Sequence, residues 1–309
     1  MNILKKINIR STHYRNNILK KTENILIGRK FNVSQPQFFI LGLPRSGTTL
    51  VYQYIIHRLD VAYFTNKAGE YGFAPCVITY LSKMINKPYI SDFKSKYGKS
   101  NGKMAPREAG SFWLRFFDKN SYQLINSVNK NDISIIRKTI FCIKSIFSNA
   151  PFVNKNVKHL LRIKILNEIF PNSFFIIVNR DITDVGLSIL DARKQIFSDL
   201  NKWWSVQPLN YNKIKDMDPL DQIGYQIFSI NKKLNDDLKT ISDKKIIYLD
   251  YSEFCRNPEK IINTIIEKSH KISYKNPPVK SFSERKRKAV NSDEKKLIEI
   301  IKTNSFLKD

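Results

Sequence analysis

Residues 37–49 read QFFILGLPRSGTT. The apolar run 37–43 meets a Gly/Pro signal. Beyond it, over residues 48–59, Leu50, Tyr54, Ile55 and Leu59 fall at helical spacing. The order predicts a buried strand, a glycine-containing turn and a helix. Backbone N–H groups of such a turn converge on one point, and the helix N-terminus adds partial positive charge there. Gly47 lets the backbone approach an anion closely. Thr48 and Thr49 add hydroxyl donors, Arg45 adds a fixed cation with a fork of N–H groups, and Pro44 and Ser46 complete the loop. The Gly42–Gly47 spacing is that of a nucleotide phosphate loop, but Thr48 stands where the loop of an NTPase carries lysine. That exchange argues against NTP hydrolysis and leaves anion binding intact.

Similar units recur downstream. Residues 173–178 (SFFIIV) form a second apolar run, followed by Asn179-Arg180-Asp181 and a helical pattern through Val185, Leu187, Ser188 and Leu190. Arg180 at a strand end and Ser188 eight positions later, just over two helical turns on, can clasp one phosphate monoester from two sides. Alone, Arg180 could equally pair with Asp184. Residues 151–153 read as a weaker strand that leads through Lys155 into a helix holding Leu160, Leu161, Ile163, Ile165, Leu166 and Ile169. Residues 245–249 are another strand, and 259–268 another helix. Strands alternating with helices define the α/β class, with a mostly parallel sheet and helices on both faces. Residues 71–150 and 195–220 read as irregular insertions over the sheet's carboxyl edge, where open α/β folds bind ligands. Residues 1–35 form a basic N-terminal arm, and 36–309 a single domain.

Composition sets the outer bounds. Of 309 residues, 42% are hydrophobic and 26% charged, which excludes a fully disordered chain. The net charge of +26 implies an anionic partner. The chain is also rich in Lys, Asn and Ile, which A/T-rich codons favour, so the charge does not by itself argue for nucleic acid. Three widely spaced cysteines support neither a disulfide framework nor a thiolate zinc site, and no metal is expected. A reducing, cytoplasmic compartment follows, with peripheral contact to an anionic membrane surface as an option. The N-terminal stretch lacks the apolar core of a signal peptide, and no run reaches the roughly 18–20 apolar residues of a spanning helix. The tail cluster Arg285-Lys286-Arg287-Lys288 reads as a solvated charge run, with closure over a bound ligand as the alternative, and His13, His57 and His270 read as surface residues.

The string from Gly42 to Thr49, together with FFIIVNRDITDVGLS ending at Ser188, resembles the sulfotransferases that use 3′-phosphoadenosine 5′-phosphosulfate (PAPS). The style is closest to the tyrosylprotein and bacterial glycan enzymes. The resemblance implies a three-layer P-loop fold in which residues 44–49 hold the 5′-phosphosulfate, and Arg180 and Ser188 the 3′-phosphate. It implies that Arg193 adds charge beside the 3′-phosphate, and that Lys155 and Arg45 stabilise charge on the transferring group. It also implies a hydroxyl-bearing acceptor, here a carbohydrate or glycolipid, and release of adenosine 3′,5′-bisphosphate (PAP). Cytosolic members place a histidine two residues after the lysine, and this chain has Val157 there. Gly69-Glu70 resembles the Gly-Glu of the tyrosylprotein group, which makes Glu70 the expected general base. His159, if one helical turn from Lys155, is the alternative base, and a half-buried, hydrogen-bonded structural histidine is its other reading. Glu108 falls where relatives carry an acidic segment near the acceptor, and an ion pair with Arg107 or Arg115 explains it equally well. Two other functions compete: an ATP-dependent P-loop kinase and a basic nucleic-acid-binding protein.

Overall fold

The computed structural model describes residues 3–31, 34–96, 98–118, 122, 124–270 and 272–303. Its strands are β1 (Gln37–Leu41), β2 (Phe152–Lys155), β3 (Ser173–Asn179) and β4 (Ile246–Asp250). They form one all-parallel sheet in the order β2-β1-β3-β4. All five residues of β1 are buried, as the unbroken apolar run requires of a central strand. Strand order reverses at β1. The chain leaves it for β2 on one side and then crosses back past it to β3 on the other. A crevice therefore opens beyond the carboxyl end of β1.

The helices are α1 (Ile3–Ile27), α2 (Thr48–Arg58), α3 (Asn66–Glu70), α4 (Pro75–Ile85), α5 (Gly110–Trp113), α6 (Lys130–Ile146) and α7 (Ile163–Ile169). After β3 come α8 (Ile182–Phe197), α9 (Tyr211–Ile214), α10 (Pro219–Leu238), α11 (Tyr251–Arg256), α12 (Glu259–Glu267) and α13 (Ser292–Thr303). α2 covers β1 and β2 and touches α12. On the opposite face a 3-10 turn over Val157–Leu161 covers β1, α10 packs on that turn, and α8 and α13 stack on α10. The result is the three-layer α/β architecture that the alternating pattern predicts.

Some local expectations differ from the structure. The segment after Lys155 is not one helix: the 3-10 turn and α7 are separate, with Arg162 between them. The insertion 71–150 is more regular than its composition suggests, because α6 runs for 17 residues and packs on α4 and α1. Within the arm, α1 joins that layer: buried Glu23 accepts hydrogen bonds from the Cys76 and Val77 amides and so caps α4. Among the described residues no helix is long and apolar enough to cross a membrane.

Candidate active site

Strand register sets the site. Leu41, Lys155, Asn179 and Asp250 end their strands on one rim, and each strand delivers its next residues to the same crevice. β1 delivers the loop 42–47, β2 ends on Lys155, β3 leads to Arg180, and β4 leads to Tyr251. A cavity of about 610 Å³ lies there, lined by Pro44, Arg45, Gly47, Thr48 and Thr49 together with Lys155, Arg180 and Ser188. Most of the residues expected to hold two anionic groups thus face one space, while Ser46 of the same loop is buried and does not line it.

The geometry of the loop suits an anion. Gly47 is the N-cap of α2 at φ 94°, and no side chain caps the helix. The first amides of α2 are therefore left for a ligand. An alanine methyl at Gly47 would sit 2.1 Å from Tyr251 Cε2, so the ring of Tyr251 is pressed against the loop. Arg45 is itself left-handed at φ 71°, a strained conformation for a residue with a side chain. Its Nε donates to Ser188 Oγ at 2.9 Å, which ties the loop to α8.

Arg180 is 10% exposed and held from four sides. It donates to the Arg45 carbonyl at 3.4 Å, pairs with Asp184 at 3.3 Å, donates to the Arg285 carbonyl, and lies 4.9 Å above the Tyr251 ring. Arg180 thus pairs with Asp184 and still lines the cavity. Its Nε and the Ser46 hydroxyl are buried with no partner. Such orphaned donors are costly unless something else occupies them. Burial raises the Tyr251 phenol to about 12, so it stays neutral under the guanidinium.

Lys155 pairs with Glu108, and the lysine side chain is only 4% exposed. The segment carrying Glu108 is pinned by a hydrogen bond from the Arg107 amide to the Phe64 carbonyl (2.8 Å) and by a bridge between Thr65 and Pro106. Asn156 Nδ2 donates to the Glu108 carbonyl at 3.2 Å. Gly98, at φ 82°, passes over this pair: a methyl there would lie 3.5 Å from Lys155 Nζ and 3.7 Å from Glu108 Oε1.

Three expected site residues are not brought to the cavity. Glu70 ends α3 and points to solvent, bonded to Lys67 at 2.9 Å and 4.0 Å from Arg107. The Lys67 ammonium holds its carboxyl below the ordinary range. It does not line the cavity, and Glu108 does. His159 was placed one α-helical turn from Lys155, but the 3-10 geometry turns it into the core. There its Nε2 meets Asn154 Oδ1 at 2.8 Å, and the ring lies edge-on to Trp113 and Phe39. Burial lowers its pKa well below the usual value. Arg193 is also fully buried, tied to the Leu200 carbonyl and to Gln222 Oε1 (2.8 Å), away from the anion sites. His57, expected on the surface, is buried against Phe93.

Further cavity walls come from the insertion 195–220 and from the tail. Trp204 and Ser205 arrive from the insertion after α8. The tail cluster is no mere solvated run: Arg285 and Arg287 line the cavity. The Arg287 amide donates to Asp184 Oδ1 at 2.8 Å, and its guanidinium pairs with Asp191. The only signal in the sequence was the clustering of basic residues after a long irregular segment.

Residues 36–270 match the model of a sulfotransferase family, and the chain belongs to that family. Its reaction class is sulfuryl transfer. No curated protein matches the sequence. Among solved structures, the chain is similar to the sulfotransferase STF1 from Mycobacterium tuberculosis H37Rv, with a TM-score of 0.51 and 12% identity, over 81% of this chain and 72% of that one. It is also similar to the sulfotransferase STF9 from Mycobacterium avium, with a TM-score of 0.46 and 16% identity, over 82% and 67%. At such identities the likeness to STF1 speaks for the fold alone.

Proposed function

We propose that the protein transfers the sulfuryl group of PAPS to a hydroxyl of a carbohydrate or glycolipid acceptor and releases PAP. One observation carries the reading: the uncapped N-terminus of α2, the Arg180–Ser188 clasp and the Lys155–Glu108 pair all face a single cavity. Its volume of about 610 Å³ suits a nucleotide-sized ligand. The orphaned Arg180 Nε and Ser46 Oγ suit the oxygens of two phosphates.

PAPS supplies an activated sulfuryl group on a phosphate leaving group. The loop amides with Thr48 and Thr49 hold the 5′ end, and Arg180 with Ser188 holds the 3′-phosphate. Lys155 and Arg45 stabilise charge gathering on the sulfonate and leaving oxygens. Glu108, in place of Glu70, takes the acceptor's proton. As the acceptor oxygen bonds to sulfur, the bond from sulfur to the 5′-phosphate oxygen breaks and PAP departs. Phe93 and Trp204 bring aromatic faces to the cavity beside Lys94, Ser95 and Ser205, a surface suited to a sugar ring. The three free, buried cysteines suit a reducing, cytoplasmic setting.

Calorimetric titration tests the donor site. PAP is expected to bind without metal and more tightly than AMP or ATP, and Arg180→Ala to abolish that preference. Tighter binding of ATP with magnesium would overturn the reading in favour of a kinase. Labelled PAPS with a panel of glycan and lipid acceptors then tests turnover.

A further inference from the structure

α4 is covered on one side only, and its uncovered side is apolar. Cys76, Thr79 and Ser82 face the layer formed with α1 and α6. Over its last two turns Tyr80, Leu81, Met84 and Ile85 share the opposite face at i, i+1, i+4, i+5 spacing and are 46–78% exposed. Ile90, just past the helix, is 69% exposed, and α1 adds exposed Ile18 and Ile25, seven residues apart on one face. Large apolar side chains exposed together along one helix face mark an interaction surface.

The charge around the patch selects the partner. Arg15, Lys20, Lys21, Arg29, Lys30, Lys83 and Lys87 are all exposed on these two segments. Residues 75–91 contain no Asp or Glu, and the one acid of residues 15–31, Glu23, is buried and spent on the α4 amides. Beside the end of α4 opens a second cavity of about 430 Å³, lined by Lys83, Lys275, Asn86, Pro88, Tyr89 and Asp60. Lys83 donates to the Ile146 carbonyl at 2.9 Å and Lys275 to the Ile56 carbonyl at 3.3 Å. Each ammonium has further donors to offer.

We propose that this α1/α4 face docks on an anionic phospholipid bilayer. Tyr80, Met84, Ile85 and Ile90 enter the headgroup–acyl boundary, the surrounding lysines and arginines meet lipid phosphates, and the second cavity takes a headgroup. A second copy of the chain is a poor occupant, because pairing two such faces would bring their cations together. Nucleic acid has no use for exposed methionine and isoleucine. Phe93 and Lys94, which line the donor cavity, follow Ile90 by three and four residues. Docking therefore brings the cavity lip close to the membrane. The docking surface stands on its own observations, and only its use in presenting a lipid-borne acceptor rests on the sulfotransferase reading.

The test is flotation of the full chain with vesicles of phosphatidylcholine alone or mixed with phosphatidylglycerol, at physiological ionic strength. Binding to the mixed vesicles is expected to be at least about tenfold tighter. Met84→Glu/Ile85→Glu is expected to weaken it by at least about tenfold. Lys239→Ala/Lys244→Ala, which removes the same two units of net charge on another face, should leave it nearly unchanged. Circular dichroism and PAP titration of the glutamate variant confirm that it is folded. Absent vesicle binding, equal binding to neutral vesicles, or equal loss in both variants would overturn the proposal. So would a wild-type dimer in sedimentation that Met84→Glu/Ile85→Glu dissociates. Failure of PAP to bind the wild type would instead remove the donor reading and leave the docking result standing.

Discussion

Replacing Gly47 with alanine puts a methyl group where the Tyr251 ring already is. Two costs follow from the geometry. The backbone at φ 94° is left-handed, which costs a residue with a Cβ about 1–2 kcal/mol. The new carbon would also stand 2.1 Å from Cε2 and 2.4 Å from Cδ2 of Tyr251. The ring must retreat by roughly an ångström, and overpacking of this sort costs about 1–3 kcal/mol. It cannot move freely, since Arg180 lies on it at 4.9 Å and Phe254 packs beside it. Gly47→Ala should therefore lose about 2–5 kcal/mol of stability or of PAP affinity, shared between the two. The clean assay is a double-mutant cycle in urea with Tyr251→Ala, read alongside PAP calorimetry. In the Tyr251→Ala background only the backbone cost remains, about 1–2 kcal/mol. If Gly47→Ala costs the same in both backgrounds, the ring does not brace the loop and the account of Gly47 is wrong.

Other expectations concern the chemistry and the core. Glu108→Gln should lower kcat about 10²–10⁴-fold with PAP binding kept, whereas Glu70→Gln should stay near the wild-type rate; the opposite ranking in a labelled-PAPS assay would return the base to Glu70. Ser188→Ala removes both an anion donor and the partner of Arg45 Nε, and should weaken PAP binding about 10- to 100-fold by calorimetry. His159 is buried neutral, so between its lowered folded pKa and its unfolded value of about 6.5 the unfolded chain takes a proton that the folded one refuses. Its contribution is whole above pH ~6.5 and is lost below it, at up to about 1.4 kcal/mol per pH unit. His159→Gln should flatten that limb of the urea midpoint between about pH 5 and 6.5, and an unchanged slope would contradict the burial argument.

What the sequence showed and what it hid divide along a physical line. The loop 42–49, Lys155 and the Arg180–Ser188 pair were legible because each sits at a strand end or on the helix that follows, where strand register alone brings them to one rim. That Glu108 and not Glu70 lines the cavity was not legible. Glu108 reaches Lys155 only through tertiary anchors, among them the Arg107 amide on the Phe64 carbonyl, and these leave no pattern in sequence. His159 is the buried, hydrogen-bonded histidine of its structural reading, because the chain adopts a 3-10 turn there and not the α-helical turn that would carry it to Lys155. The role of the tail was hidden for a related reason. Its grip on Arg180 runs through the carbonyl of Arg285, and a main-chain contact carries no signature of residue type.

That tail also fixes when the enzyme is finished. The phosphate loop is synthesised within the first fifty residues, but the wall opposite it waits for Arg285 and Arg287, which lie beyond the span matched to the family. A nascent chain still short of them can lay down its strands and cradle, and nothing yet seals the far end. The cavity is thus complete only once synthesis has passed Arg287, and a chain cut short before that residue would keep the scaffold without a closed pocket.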